Sequence, residues 1–365
     1  AVINSALSLS KYSKNLIRVN IINACGEWDD KKDFFYQNNI EVIDINFSYF
    51  KYLPKTGYIG SRISYTIISL LSIIPLIIFL KRNKPKFLIG HLITALPFVL
   101  FSLFNFETKY ILRISGYPKL NFIRKNLWKF FSKKIYKITC PSEDLKSQLI
   151  KNHIFSLEKL FFLPDPIINI KKFKKSINSF QTQKDINSQK YLLAVGRLTK
   201  QKNFSYLIDE FYIYSQNQNK YKLLIFGEGE ERKNLQKKIN DLRLNEKVFL
   251  MGFSENIFSY MKQAEAFILS SLWEDPGFVI VEAAFSNLFV ISSDCKNGPN
   301  EFLLNGKGGI LFKKNEKNGL KNSLNIFDSF SKDEKNLMKL IAKKNCIKYT
   351  LLRHHNCFKK ILNLN

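Results

Sequence analysis

Two cations follow a short apolar segment in the second half of this 365-residue chain. Arg197 and Lys202 come just after Tyr191–Val195, and Gly196 at the end of that segment permits a tight turn. Cations beside the N-terminus of a helix are a typical site for a phosphate or diphosphate. The pattern therefore predicts an anion site, although two exposed cations in a lysine-rich chain would look the same.

Two carboxylates follow a second apolar segment, Ala266–Leu269. Glu274 lies in the next loop, and Glu282 lies in the first turns of a helix that we predict after Gly277. The unsatisfied backbone N–H groups at such a helix start attract anions. The helix dipole alone also accounts for Glu282, whereas Glu274 in an otherwise apolar loop indicates a functional carboxylate.

Predicted strands and helices alternate along the chain, which is typical of parallel α/β sheets. Strands of the first half are predicted at Leu16–Asn23, Asn39–Ile45, Phe87–Gly90, Tyr110–Ile114 and Ile135–Cys140. Those of the second half are predicted at Tyr191–Val195, Lys222–Phe226, Val248–Leu250, Ala266–Leu269, Phe289–Ile291 and Gly309–Phe312. Ligands of such sheets bind beyond the carboxyl ends of the strands, so the cations and carboxylates should meet there.

Five consecutive motifs resemble those of glycosyltransferase family 4. The segment AVGRLTKQKNFSYLI is similar to the family's G-R-x(4)-K motif, and EDPGFVIVE is similar to its E-x7-E motif. The other three are LLIFGEGEERKNL, VFLMGFSENIFSYMKQAEAFILSS and VISSDCKNGPNEFL. The resemblance is dense over residues 191–312 and weaker in the first half of the chain.

The resemblance implies an α/β architecture named GT-B, in which two Rossmann-like doubly wound domains face each other across a cleft. It implies an acceptor-binding domain over residues 1–166, a linker over 167–190 and a nucleotide-sugar-binding domain over 191–338. Residues 339–365 are expected to form a helix that returns to the first domain. The family's first strand and glycine-rich loop have no counterpart, so the chain is expected to start beyond them.

Carried over position by position, the resemblance assigns three catalytic residues. Arg197 and Lys202 would hold the donor diphosphate, and Glu274 would contact a hydroxyl of the donor sugar. Glu282 would accept hydrogen bonds from the ribose. The other donor-binding residues are Gly196 at the turn, Phe253 and Ser254 near the base, and the backbone N–H groups of Gly277, Phe278 and Val279.

The implied activity is transfer of a hexose or N-acetylhexosamine from a UDP- or GDP-sugar to a glycan acceptor, with retention of anomeric configuration. The acceptor would be lipid-linked, and the product would feed a surface polysaccharide, lipopolysaccharide or glycolipid. No cofactor and no metal are implied, and the sequence holds no HExxH, DxD or His/Cys cluster. A nucleotide-sugar epimerase of the same architecture and a non-catalytic nucleotide-sugar- or membrane-binding relative are the alternatives.

Some positions depart from the family pattern. Pro276 has no N–H group to donate to the donor. Where many relatives place a histidine near the acceptor, this chain has Arg113 and Ser115. His91 ends a predicted strand, and either a buried, hydrogen-bonded position or one facing the cleft would fit it.

The charge of the chain indicates an anionic partner. The net charge is +27, and residues 1–190 hold 30 Lys/Arg against 12 Asp/Glu. Residues 121–139 predict a basic amphipathic helix, and residues 65–80 are strongly apolar but too short for a bilayer span. These features favour peripheral attachment to the cytoplasmic inner face of an anionic membrane, and no motif indicates nucleic-acid binding.

The remaining reactive side chains predict little chemistry. The five cysteines include no CxxC pair, which indicates a reducing compartment and no disulfide framework. His354 and His355 lie near the C-terminus and are expected to be exposed.

Overall fold

The structure is a computed structural model, and it describes residues 2–13, 16–54, 58–91, 95–118, 121–170, 173, 189–274 and 277–363. The chain divides into two compact units. Unit 1 comprises Ala1–Pro166 together with Leu351–Asn365, and unit 2 comprises Ile167–Thr350.

Unit 2 is built around one six-stranded parallel sheet. Its strands are β7 (Tyr191–Val195), β8 (Lys222–Phe226), β9 (Val248–Gly252), β10 (Ala266–Leu269), β11 (Phe289–Ser293) and β12 (Ile310–Phe312). Its helices are α8 (Phe204–Asn217), α9 (Arg232–Asp241), α10 (Ile257–Gln263), α11 (Phe278–Phe285), α12 (Pro299–Phe302), α13 (Gly319–Ser329) and α14 (Lys332–Asn345). The six predicted strands of this half are confirmed, with bounds that differ by at most two residues.

The strand order of this sheet is β12-β11-β10-β7-β8-β9. From β7 the chain proceeds to β8 and β9 on one side, and it then returns to β10 on the other side of β7. Such a reversal leaves a crevice at the carboxyl ends of the two central strands. The loops that follow β7 and β10 are therefore the natural ligand-binding position of unit 2.

Both faces of the sheet are covered by helices, which explains why its strands are continuously apolar. Leu192 and Ala194 pack on one side with α8 and α13, whereas Leu193 packs on the other with α11. The central strands are accordingly almost fully buried.

Unit 1 contains a four-stranded parallel sheet and a separate two-stranded parallel sheet. The larger sheet has the order β3 (Phe87–Gly90), β4 (Lys109–Arg113), β5 (Lys137–Cys140) and β6 (Leu160–Phe162), and the smaller pairs β1 (Asn20–Asn23) with β2 (Glu41–Asp44). The helices are α1 (Val2–Tyr12), α2 (Lys32–Tyr36), α3 (Tyr58–Leu71), α4 (Ile73–Asn83), α5 (Ala95–Leu103), α6 (Phe122–Phe131), α7 (Glu143–Lys151) and α15 (Leu351–Leu362).

Several predicted bounds in this unit are wrong. The strand predicted from Leu16 begins only at Asn20, and Leu16 is exposed. The basic helix predicted over residues 121–139 ends at Phe131, because the chain turns there and enters β5. The pattern also missed β6, which is only three residues long.

The expected helix over residues 339–365 is interrupted. Cys346–Tyr349 form a 3-10 helix after α14, and Thr350 is extended before α15 begins. The N–H groups of Ile167 and Ile168 both donate to the carbonyl of Tyr349, at 2.9 and 3.0 Å, which ties the chain at this break. Most of the predicted linker at 167–190 lies outside the described residues.

Arg113 is a structural residue of unit 1. Its side chain is buried at the end of β4 and donates to Asp165 Oδ1 from Nε at 3.0 Å and from Nη2 at 2.5 Å. The same guanidinium donates to the carbonyl of Leu163. These bonds leave the Arg113 guanidinium turned into the core of unit 1.

The expectation that His354 and His355 are exposed is wrong, since both are buried on α15. His354 Nδ1 lies 2.8 Å from the carbonyl of Pro164, which can only accept, so Nδ1 carries the proton. The hydroxyl of Ser5 then donates to Nε2 at 2.9 Å. Burial lowers the pKa of His354 to about 4, so the ring is neutral at pH 7.

We expect unit 1 to lose stability as the pH falls from 6.5 toward 4. The folded-state pKa of His354 lies below the ordinary histidine value of 6.5, so the unfolded chain takes up the proton first. The loss from this residue approaches about 3 kcal/mol. Urea unfolding at several pH values measures this loss of stability. Burial, with the charge of Arg113 as the second cause, similarly lowers the pKa of His91 to about 3.

The His354→Gln variant keeps both hydrogen-bonding capacities and cannot titrate, so its stability should fall less steeply over this range. His153→Asn, at an exposed position with φ of 51°, is the matched control and should follow the unaltered chain. A His354→Gln variant with an unchanged pH dependence would contradict the expectation.

Candidate active site

The loop after β7 is held against the loop after β8 by backbone contacts. Gly196 N donates to the carbonyl of Phe226 at 2.9 Å, and Leu198 N donates to that of Glu228 at 2.9 Å. Gly227 has a φ of +137°, and an added Cβ there would lie 1.9 Å from Gly196 O. Only glycine permits this approach, so Gly227 after β8 lets its loop position the loop that carries Arg197 and Lys202.

Lys202 reaches from this loop to the carboxylate of Glu274, which follows β10. Lys202 Nζ lies 2.5 Å from Glu274 Oε1, although 72 residues separate them in the chain. The side chains are only 14% and 5% exposed, respectively. The Lys202 stem passes over Gly196, where an added Cβ would meet it at 3.1 Å.

Serine hydroxyls donate hydrogen bonds to the carboxylate of this ion pair and to the backbone around it. Ser271 is buried and donates to Glu274 Oε1 at 2.5 Å. Ser293 donates to the carbonyl of Ser271 at 2.7 Å, and Ser270 donates to that of Lys202 at 2.8 Å. The ends of β10 and β11 therefore orient both partners of the pair.

These serines were missed by sequence reasoning. The signal that was available is the pair of small polar residues, Ser270 and Ser271, at the end of the fully apolar strand β10. A buried hydroxyl at a strand end needs a hydrogen-bond partner, and here those partners are the backbone of Lys202 and the carboxylate of Glu274.

The helix α11 starts beside the ion pair. Gly277 precedes it with a φ of +80°, and an added Cβ there would lie 3.1 Å from Glu274 Cγ. Because Gly277 has no side chain, the N-cap residue accepts no hydrogen bond from the first turn of α11, where Phe278 and Val279 lie. Asp275 and Pro276 lie outside the described residues.

Two other predicted residues, Arg197 and Glu282, lie on the segments that follow the same two strands as the ion pair. Arg197 is exposed in the loop after β7. Glu282 is half-buried on α11, and the hydroxyl of Ser286 donates to its carbonyl at 2.9 Å. Both follow the carboxyl ends of strands in unit 2, as the sequence predicts.

Phe253 and Ser254 follow β9 at the same edge of the sheet. Gly252 turns the chain with a φ of +75°, and Phe253 behind it is 76% exposed. Ser254 Oγ accepts from the N–H of Asn256 at 3.2 Å. An exposed aromatic ring at a strand end is a stacking surface that the core does not use.

Cys295 does not supply a nucleophile to this site. Burial raises its pKa to about 12, so the thiol stays protonated at neutral pH. In the part of the chain that the structure describes, no three His, Cys, Asp or Glu side chains are grouped to hold a metal ion.

The fold defined by these two units is GT-B. A glycosyltransferase from Rickettsia africae matches 100% of this chain and 96% of its own with a TM-score of 0.73 at 16% identity. Anabaena HepE, solved in complex with UDP and glucose, matches 100% of this chain and 95% of its own with a TM-score of 0.72 at 14% identity. The expected fold class is thereby confirmed.

Residues 176–345 match the family model of glycosyl transferases group 1. An uncharacterized glycosyltransferase of Methanocaldococcus jannaschii is 31% identical over 266 residues, which cover 64% of this chain and 65% of that protein. A Campylobacter jejuni N-acetylgalactosaminyltransferase is 28% identical over 253 residues, which cover 66% of this chain and 67% of that protein. The chain thus spans about two thirds of the length of these two relatives, both of which are named as glycosyltransferases.

We expect Lys202→Met to lower the free energy of unfolding by about 3–5 kcal/mol, because it leaves the Glu274 carboxylate buried without a counter-charge. Adding Glu274→Gln should restore much of that loss. Urea unfolding at pH 7 measures both.

The control for this expectation is Lys190→Met. Lys190 Nζ lies 3.5 Å from Glu265, and its side chain is 63% exposed, so the change should cost less than about 1 kcal/mol. Equal losses of unfolding free energy in the two methionine variants would show that the buried pair contributes no more to stability than a surface pair.

Proposed function

We propose that this protein is a retaining glycosyltransferase of family 4. It transfers a hexosyl or N-acetylhexosaminyl group from a UDP- or GDP-sugar to a glycan acceptor, without a cofactor or a divalent metal ion. The observation that carries the proposal is the Lys202–Glu274 pair at the strand-order reversal of unit 2, beside the start of α11.

The cations of this site suit a diphosphate. Arg197 is exposed in the loop that also carries Lys202, and its guanidinium can donate two parallel hydrogen bonds to phosphate oxygens. The first turn of α11 adds backbone N–H groups and the positive end of the helix dipole. When the glycosidic bond of the donor breaks, negative charge grows on the leaving nucleoside diphosphate, and these groups would stabilise it.

The ion pair suggests how the donor would be received. An incoming diphosphate would attract the Lys202 ammonium and would lengthen its contact with Glu274. The carboxylate, still held by the hydroxyl of Ser271, would then accept a hydrogen bond from a hydroxyl of the donor sugar. In the proposed site, one carboxylate thus neutralises the lysine before binding and recognises the sugar afterwards.

The nucleoside would lie beyond the phosphates. The Glu282 carboxylate would accept hydrogen bonds from the ribose hydroxyls, as the resemblance implies. Phe253, which is 76% exposed after β9, would stack on the base, and Ser254 lies beside it. The backbone groups of Gly196 and Gly277, which lie against the side chains of Lys202 and Glu274, would border the diphosphate.

The acceptor proposal rests on the relatives. The Campylobacter jejuni protein is named as acting on a diphospho-undecaprenol glycan. An Escherichia coli relative, 28% identical over 202 residues, is named as a diphosphoundecaprenol galactosyltransferase. We therefore propose a lipid-linked acceptor in surface-polysaccharide, lipopolysaccharide or glycolipid synthesis, at the cytoplasmic face of a membrane.

Calorimetry with UDP, GDP and ADP in EDTA tests the donor site. One nucleotide should bind selectively, and Lys202→Ala should weaken that binding by about 10-fold or more, the scale of a lost charge-assisted hydrogen bond. Lys200→Ala removes an exposed lysine from the same loop and should change nothing. The donor site would be refuted if none of the three nucleotides bound, or if both variants behaved alike.

Steady-state kinetics with a donor sugar and a lipid-linked acceptor test the reaction. Arg197→Ala should lower kcat by about 100-fold or more, and Arg197→Lys should recover part of it. NMR of the product should show the anomeric configuration of the donor. Conversion of the donor sugar without acceptor would instead identify an epimerase, and an inverted product would exclude retention.

A further inference from the structure

Apolar side chains of unit 1 are exposed along three helices, α3, α4 and α6. We call their exposed apolar side chains the apolar helix face. On α3 and α4 they are Ile59, Ile63, Leu70, Leu71, Ile74 and Ile78, and on α6 they are Phe122, Ile123, Leu127 and Phe130. Their exposed fractions range from 43% to 81%, so this face is not part of the core.

The outward stripe on α6 is distinct from its inward stripe. Ile123, Leu127 and Phe130 follow the i, i+4, i+7 spacing of one helix face and are exposed. Trp128 and Phe131 point the other way, and their rings lie 5.6 and 5.7 Å from that of Phe98. The helix therefore has enough apolar residues for the core and a second set that the core does not use.

The same division holds on α4. Leu76, Phe79 and Leu80 are buried in the core of unit 1. Ile74 and Ile78, four residues apart, are 68% and 43% exposed. A single amphipathic stripe is enough to pack a surface helix onto its domain, so the second stripe calls for a different contact.

The three helices are linked through their neighbours. Both α4 and α6 pack against α5, and α4, α5 and α6 contribute to the same core cluster, whereas α3 contacts α4. At the start of α5, the N–H of Ala95 donates to the hydroxyl of Tyr65 on α3, at 3.3 Å. The apolar helix face is therefore carried by neighbouring elements.

The charge of this region is strongly one-sided. Residues 58–137 contain 14 Lys/Arg and one acid, Glu107, which pairs with Lys84 at 2.5 Å. Lys81 and Arg82 follow Ile78 in the last turn of α4, and Lys129 lies beside Phe130 on α6; all three cations are exposed. Exposed apolar side chains bordered by cations match the surface of an anionic bilayer, which offers hydrocarbon beneath negative headgroups.

The positive charge also indicates which partner, a second copy of the chain or a membrane, covers the apolar helix face. A second copy of the chain would bring the same cations against this face, and like charges across an interface oppose association. A bilayer rich in anionic lipid instead gains from each lysine near its surface.

The depth of the contact is limited by the helices themselves. Among the described residues no single helix has the length and apolar character to cross a membrane; α3 and α4 meet both requirements only as a pair, and a 46° bend separates them. Helices of this kind, with cations at their ends, lie along the interface.

We propose that α3, α4 and α6 dock unit 1 on an anionic membrane surface through the apolar helix face and its bordering lysines. The face is separate from the candidate active site of unit 2, and the contact does not depend on transferase activity. Docking would bring a lipid-linked acceptor within reach if the proposed reaction is correct.

Flotation with phosphatidylcholine vesicles, with and without phosphatidylglycerol, tests the proposal on the full chain. Binding should require phosphatidylglycerol and should weaken as salt is added. The triple variant Ile123→Ser, Leu127→Ser, Phe130→Ser should lower the partition coefficient by about 100-fold or more, since three apolar side chains are no longer transferred from water into lipid on binding.

The matched control for these serines is Leu337→Ser, Leu340→Ser, Ile347→Ser. These residues are 59%, 47% and 62% exposed in unit 2, so their loss should leave flotation unchanged. Because both sets are exposed, circular dichroism and thermal melting should be the same for the two variants.

The charge contribution is tested separately. Lys81→Gln with Lys129→Gln should weaken vesicle binding by about 30-fold, the scale of two exposed lysines lost from an anionic surface. The control is Lys233→Gln with Lys237→Gln, two exposed lysines of α9, and it should bind as the unaltered chain does.

Three results would overturn the proposal. They are failure of the unaltered chain to float with anionic vesicles, equal flotation of the α6 serine variant and its control, and a change in oligomeric state of that variant in sedimentation without lipid. The last would assign the face to a second copy of the chain. Flotation measures no transfer, so it stays informative even if the proposed reaction is refuted.

Discussion

A lysine and a glutamate that are both largely out of water organise the candidate active site. The charge of either alone would be costly to bury, so Lys202 and Glu274 must meet. Their meeting fixes the loop after β7 against the loop after β10, and Ser271 orients the carboxylate. The glycines at 196, 227 and 277 allow the backbones to come close enough for this to happen.

Unit 1 contains both buried, paired cations and exposed cations. Arg113 is buried and satisfied by Asp165 and by the carbonyl of Leu163, so its charge serves the fold. The cations at the ends of α4 and α6 stay at the surface beside exposed isoleucine and phenylalanine. In the proposed docking, these cations would face the anionic headgroups while the apolar side chains enter the hydrocarbon.

Much of unit 2 could be predicted because its strands are continuously apolar and its turns carry glycine. Strands β7, β8 and β10 begin and end where the pattern placed them. Unit 1 was harder, since β6 is short and the basic segment after Asn121 is amphipathic beyond the end of its helix. The burial of His354 was missed because neither Ser5 nor Pro164, its two partners, is near it in sequence.

The residue types of the site, their order and their attachment to strand ends can be read from the sequence, because a parallel sheet places all carboxyl ends at one edge. The excess of cations in the first half of the chain can also be read from the sequence. Three features are visible only in the folded chain: Lys202 pairs with Glu274, Arg113 donates its hydrogen bonds to Asp165, and one apolar stripe of α6 faces outward. These outcomes depend on contacts between distant segments, and spacing along one chain carries no information about which of several suitable partners is nearest in space.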